Sequence, residues 1–134
     1  MNREIKFRVW DIYSHRFLED NGDFRYFRLG TPYEFREVAT RPDKFEIQQF
    51  TGLKDKNGKE IYEGDITNSI KRGVAHGPER EYIKEAEVWY STEDLQYVFG
   101  KYCNNGYAWH YSMADDLFDF EVVGNIFENP ELLK

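Results

Sequence analysis

The sequence predicts a mainly β protein: a single domain over residues 1–134, shaped as a small bent sheet or SH3-like barrel with a few short helical turns. About seven or eight strands of ordinary length fit the chain. Three observations carry this prediction. Aromatic residues make up 18% of the chain, through 10 Tyr, 11 Phe and 3 Trp, and flat rings suit a pleated surface. Corners rich in Gly, Asn and Asp recur every ~8–12 residues, the spacing of short antiparallel strands. No long amphipathic segment is available to cover a parallel sheet.

The first strand signal is Ile5, Phe7 and Val9 on one side, with Glu4, Lys6, Arg8 and Trp10 on the other. Asp11 starts the turn that ends it. Phe24 to Leu29 is a weaker strand candidate. Thr31-Pro32-Tyr33-Glu34 has the cap, the N1 proline and the acidic residue of a helix start, giving one or two turns through Val38. Phe45 to Phe50 is a strand facing the core through Phe45 and Ile47.

Leu53 to Ile61 is the sharpest local signal. Asp55 suits the first position of a type I turn, and Gly58 supplies the left-handed residue of the bulge that follows. Pairing Asp55 with Lys59 sets Lys54 opposite Glu60 as an exposed charge pair and Leu53 opposite Ile61 as a buried pair. Glu63-Gly64-Asp65 is a corner into the strand Ile66 to Ile70, and 71–80 reads as a surface loop. Tyr82 to Tyr90 alternates, with Ala86, Val88 and Tyr90 on one side and Glu85, Glu87 and Trp89 on the other. A turn over 91–94 leads to the strand Leu95 to Phe99. Asn105-Gly106 then predicts a two-residue hairpin loop that sets Tyr102 opposite Trp109 and Gly100 opposite Tyr111. Cys103, Ala108, Lys101 and His110 fall on the other face. Ser112 to Phe118 is expected to form a helical turn, Glu121 to Phe127 a strand interrupted by a bulge at Gly124-Asn125, and Asn129-Pro130-Glu131 the start of a short terminal helix.

Three blocks carry a family resemblance. They are Arg3 to Asp11; Thr51-Gly52-Leu53-Lys54-Asp55-Lys56-Asn57-Gly58-Lys59-Glu60-Ile61-Tyr62-Glu63-Gly64-Asp65-Ile66; and Val123-Gly124-Asn125-Ile126-Phe127-Glu128-Asn129-Pro130-Glu131-Leu132-Leu133. In that order and position they resemble the YopX family of bacteriophage and prophage proteins. Segments 12–49 and 67–120 carry little of the pattern beyond Val88-Trp89. The resemblance implies a mostly β protein in a bacterial cytosol, and it brings no catalytic residue, cofactor or substrate.

Charge and motif content narrow the chemistry. Lys+Arg 18 against Asp+Glu 25 gives a net charge of -7, which disfavours direct binding of nucleic acid. One cysteine, Cys103, leaves no intrachain disulfide and no site that needs two thiolates. The opening residues lack the apolar core of a signal peptide and no apolar run nears the ~20 residues of a membrane span, so a cytoplasmic protein is expected. His15, His76 and His110 are dispersed, and His110 near Asp115 and Asp116 falls short of a three-ligand metal site. No cofactor is expected. The glycines belong to turns and bulges, not to a phosphate loop.

The expected function is therefore that of a non-enzymatic interaction module acting on a host or phage protein. Its candidate partner surface is Trp10 with Tyr62, flanked by Glu63 and Asp65; a covering segment over Trp10 is the competing reading. Two alternatives stand beside it. One is a nucleic-acid-related role, as an acidic DNA mimic or as a barrel with a basic strip of Arg3, Lys6 and Arg8. The other is a small-substrate enzyme using the corner carboxylates Glu63 and Asp65, with Asp11 similarly placed. Exposed strand edges leave pairing into a homo-oligomer open.

Overall fold

The structure, a computed structural model, describes residues 5–18, 40–71, 82–102, 108–115 and 117–133. The expected strand at Phe24–Leu29, the helical turns at Thr31–Val38 and the Asn105-Gly106 loop lie outside the described residues, as do Arg3, His76, Cys103 and Asp116. The fold is mainly β, as the sequence predicts, with two antiparallel sheets, one of them a curled half-barrel. Nine strands are described: β1 (Phe7–Asp11), β2 (Arg16–Phe17), β3 (Phe45–Lys54), β4 (Glu60–Tyr62), β5 (Asp65–Lys71), β6 (Tyr82–Ser91), β7 (Gln96–Tyr102), β8 (Ala108–Ser112) and β9 (Phe118–Asn125). A 3-10 turn at Pro130–Leu133 stands where the terminal helix is expected. The chain divides into two compact units, residues 1–52 and 53–134.

In the first unit β1 pairs antiparallel with β2 on one side and β3 on the other. Val9, Leu18 and Phe45 form its core, with Ile47 packed against them. Asp11 makes the expected turn: its Oδ1 accepts the backbone N–H groups of Tyr13 at 3.0 Å and Ser14 at 3.2 Å. The alternation of β1 is misleading about its second face, because Arg8 and Trp10 are both 6% exposed. Residues 12–17 fold back so that Trp10 meets Phe17 edge-on at 4.9 Å and the Arg8 guanidinium lies 4.7 Å over the same ring. Arg8 Nε also donates to Gln48 Oε1 at 2.7 Å. Trp10 is covered by its own turn, and Arg8 does not belong to an exposed basic strip.

The second unit opens with the predicted hairpin. Leu53 and Lys54 close β3, Asp55 N–H donates to the Lys59 carbonyl at 2.7 Å, and Gly58 takes a φ of 83° that a side chain would strain. The charge pair expected to be exposed is not so, since Glu60 is 9% exposed, and Leu53, expected buried, is 39% exposed. All three residues of β4 are buried. The Asp55 carboxylate organises this corner: Oδ1 accepts from Asn57 and Lys59 N–H, each at 2.9 Å, and Oδ2 accepts from Val122 N–H of β9 at 3.0 Å.

Beyond it runs a five-stranded antiparallel sheet in the order β8-β7-β6-β5-β9. Its core is Ile61, Ile83, Ala86, Val88, Phe99, Met113, Phe118 and Phe120. Phe99 is fully buried and meets the rings of Phe118 and Phe120 edge-on at 5.0 and 4.9 Å. The predicted bulge is present, shifting register between Ile66↔Gly124 and Thr67↔Val122. A second bulge lies across β5, where Thr67 pairs with Ala86 but Ser69 with Ile83. There Glu85 adopts a φ of 54° and its N–H donates to Asn68 Oδ1 at 2.9 Å. The helical turn expected at Ser112–Phe118 is only a tight turn, with Ser112 Oγ accepting from Ala114 N–H at 3.1 Å.

Burial pushes the Asp55 carboxyl up, but the N–H groups of Val122, Lys59 and Asn57, with the Lys59 charge, outweigh it and hold it below its ordinary 3.8. A depressed carboxylate lends stability that is complete above its unfolded value and disappears as pH falls through the folded one. Asp55→Ala is expected to lower stability at neutral pH by about 2–3 kcal/mol, since hydrogen bonds to charged groups are lost. Urea unfolding checks this: the gap between wild type and variant should close as pH is lowered from about 4.

Candidate functional site: an aromatic and acidic face on the second sheet

The residues singled out in the sequence do not form an open surface. Tyr62 is 3% exposed and Asp65 2%, and Asp65 Oδ2 accepts the Tyr62 backbone N–H at 2.8 Å, closing the corner on itself. Gly64 N–H donates to the Val88 carbonyl at 2.8 Å and its own carbonyl accepts from Ile126 N–H at 2.9 Å, which stitches the corner to β6 and to the chain after β9. Glu63 is half-buried beside it. With Trp10 and Tyr62 both buried, these two rings are core material, and Asp65 holds backbone.

A different face carries the accessible chemistry. Along β6, β7 and β8 the register pairs Glu87 with Gly100 and Trp89 with Val98, then Gly100 with His110 and Val98 with Ser112. The predicted loop register is therefore off by one: Tyr102 lies opposite Ala108, and Lys101 opposite Trp109. A one-residue slip exchanges the faces of a strand. It turns Trp109 and Tyr111 toward the Phe99 cluster, Tyr111 stacking on Phe99 at 5.7 Å, and brings His110 to the side of Trp89. Contact of these two rings with the core cluster favours this register over the one that a two-residue loop would set.

The centre of this face is Gly100. A Cβ there would overlap the Trp109 carbonyl oxygen and stand 2.7 Å from His110 Cα, so β7 and β8 approach closely only because the residue is glycine. Trp89 and Tyr102 lie four positions apart in register, about 13 Å along a strand. Their rings nevertheless stack with centroids 5.0 Å apart and planes 28° apart. Both lean over Gly100 from opposite ends. His110 meets the Trp89 indole edge-on at 5.6 Å. The His110 Nε2 lies 2.6 Å from Asp94 Oδ2, and Asp94 is fixed in turn by Ser91, whose Oγ donates to Oδ2 at 3.2 Å and accepts from Asp94 N–H at 3.1 Å.

On the same face, opposite Gly100, lies Glu87, half-buried. Burial pushes its carboxyl above the ordinary 4.5, and no hydrogen bond or ion pair among the described residues holds it. Tyr102, itself 62% exposed, has its phenol raised by burial and by the nearby Glu87 charge. Chemically the face offers two stacked rings, an imidazole oriented by a carboxylate, and a second carboxylate without a partner among the described residues. Among the described residues no three His, Cys, Asp or Glu side chains converge on a metal position, and no helix is long and apolar enough to cross a membrane.

Sequence reasoning places Glu87 and Trp89 on the side of β6 away from Ala86 and Val88, which is correct, but attaches no role to them. The overlooked signal is Gly100, a glycine inside a strand rich in rings, which marks a close approach of backbones.

A mainly β chain with an acidic, ring-lined sheet face is thus the class of protein defined. The sequence profile described as YopX protein matches residues 6–134, and the chain belongs to the YopX family. No curated protein is similar to it. Among solved structures it is similar to protein EF1440 from Enterococcus faecalis, at 28% identity over 99% of this chain and 100% of that one, with a TM-score of 0.56.

Two outcomes follow from the geometry. Gly100→Ala is expected to cost about 1–3 kcal/mol or more, as overpacking does, and to separate His110 from Trp89. Chemical denaturation gives the first, and loss of the nuclear Overhauser contact between the two rings the second. Glu87→Gln should raise the unfolding temperature at pH 7. The fold favours the protonated acid, so the wild-type penalty appears as pH rises through the unfolded value, and the two proteins should converge below about pH 4.

Proposed function

We propose that the protein is a non-enzymatic interaction module, acting on a host or phage protein in the bacterial cytosol, with Trp89, Tyr102, His110 and Glu87 as its contact face. The observation that carries this reading is the stacked Trp89–Tyr102 pair, with Tyr102 62% exposed, set on the same face as a carboxylate that has no partner among the described residues. Rings held in place lose little freedom on binding, and Trp and Tyr dominate the energetics of protein interfaces. The phage or prophage setting rests on the family alone. The face replaces the Trp10–Tyr62 corner in this role, because a side chain that is 3–6% exposed has no area to give a partner.

Affinity capture from bacterial lysate, with and without phage infection, followed by calorimetry on the purified captured protein, tests the proposal. Trp89→Ala should weaken binding at least about 30-fold, the loss of a hot spot of about 2 kcal/mol. Tyr13→Ala, which removes a ring 71% exposed in the first unit, should leave it unchanged. Equal loss in both variants, recovery of nucleic acid alone, or a catalytic turnover that depends on Glu63 or Asp65 would refute it.

A further inference from the structure

We infer that the Trp89–Tyr102 face receives an arginine side chain from a basic segment of the partner protein, with the Glu87 carboxylate as its counter-charge. This rests on the interaction reading above and adds the chemistry of what is bound.

Several observations converge on a guanidinium. A half-buried carboxylate is costly unless a donor or a cation compensates it. Glu87 has neither among the described residues. By contrast Asp94, the other acid on this face, is engaged by His110 and Ser91. With none among the described residues, a partner's cation is the complement we infer. What surrounds the carboxylate decides its form: the Trp89 and Tyr102 rings offer π faces and edges beside the acid, and cations are drawn to such faces. A guanidinium is flat, weakly hydrated and able to lie along a ring while its N–H fork reaches a carboxylate. An ammonium is a compact, strongly hydrated point charge and uses the rings less well. The protein as a whole favours the same partner, since a net charge of -7 draws a basic segment in and repels an acidic one.

The test uses the full chain and three capped heptapeptides, Gly-Ser-Gly-X-Gly-Ser-Gly, in which X is arginine, citrulline or lysine. Citrulline keeps the shape of arginine and removes the charge. Titration is followed by the amide and indole N–H resonances. The arginine peptide should give saturable shifts at the Trp89 indole and the Tyr102 and Glu87 amides, and citrulline should bind at least about tenfold more weakly. Lysine should fall between them. Glu87→Gln, whose dispersed spectrum and unfolding temperature report an intact fold, should lose the arginine preference while keeping the stacked rings. Equal binding of arginine and citrulline, an unchanged preference in Glu87→Gln, or shifts confined to other surfaces would overturn the assignment. So would tighter binding of a single-stranded DNA oligomer at the same resonances. The two proposals fail separately: a captured partner that is lost with Trp89→Ala but indifferent to Glu87→Gln keeps the interaction face and removes the arginine.

Discussion

The Asp55 carboxylate is the constraint on which the second unit depends. Its three hydrogen bonds do two jobs with one charge. Those from Asn57 and Lys59 fix the turn between β3 and β4, and the one from Val122 ties that turn to β9, which is 67 residues further along the chain. Lys56 reinforces the tie through its N–H to the Phe120 carbonyl at 2.9 Å and its ammonium to Glu121 at 3.2 Å. The surface ion pair adds little by itself. The buried acceptor matters more, because Asn57, Lys59 and Val122 N–H groups would otherwise compete for water at the rim of the core. Phe118 and Phe120, on the same strand as Val122, are thereby held over Phe99.

From that packing the accessible face follows. Phe99 points into the core, so its neighbours Val98 and Gly100 belong to the opposite side of β7, where Trp89, Tyr102 and His110 gather. Core and face are two sides of one sheet, and the register that packs Trp109 and Tyr111 on the Phe99 side is the register that delivers His110 to Trp89. A half-buried acid beside the rings is a local expense in stability that the folded core offsets, the pattern expected where a binding surface is retained against the preference of the fold.

Much of the architecture was legible in the residues because it is written in local chemistry. The Asp55–Gly58 turn, the Glu63–Asp65 corner and the bulge at Gly124 each need particular residues at particular dihedral angles, and neighbours in sequence are enough to specify them. Long-range choices were not legible in the same way. Trp10 reads as outward-facing from the alternation of its strand, yet the chain doubles back within six residues and covers it. His110 reads with Lys101 because Asn105-Gly106 is a strong short-loop signal, and only the competing contact of Trp109 with the core cluster reverses the pairing. The accessible face was missed for a related reason: rings four positions apart in register meet only because a glycine lies between them, which periodicity does not reveal.

Strand β5 runs between two irregular neighbours. It has an extra residue opposite it on each flank, at Val123 in β9 and in the Lys84–Glu85 stretch of β6, the latter stapled by Asn68. A regular ladder can slide by two residues and still present the correct side chains to either layer, which makes slipped alignments close rivals during assembly. Between two irregular neighbours such sliding would misplace both kinks and orphan the Asn68 amide. This strand is keyed, like a lock with cuts on both edges of the blade, so the nascent chain meets a single alignment in which every tooth fits.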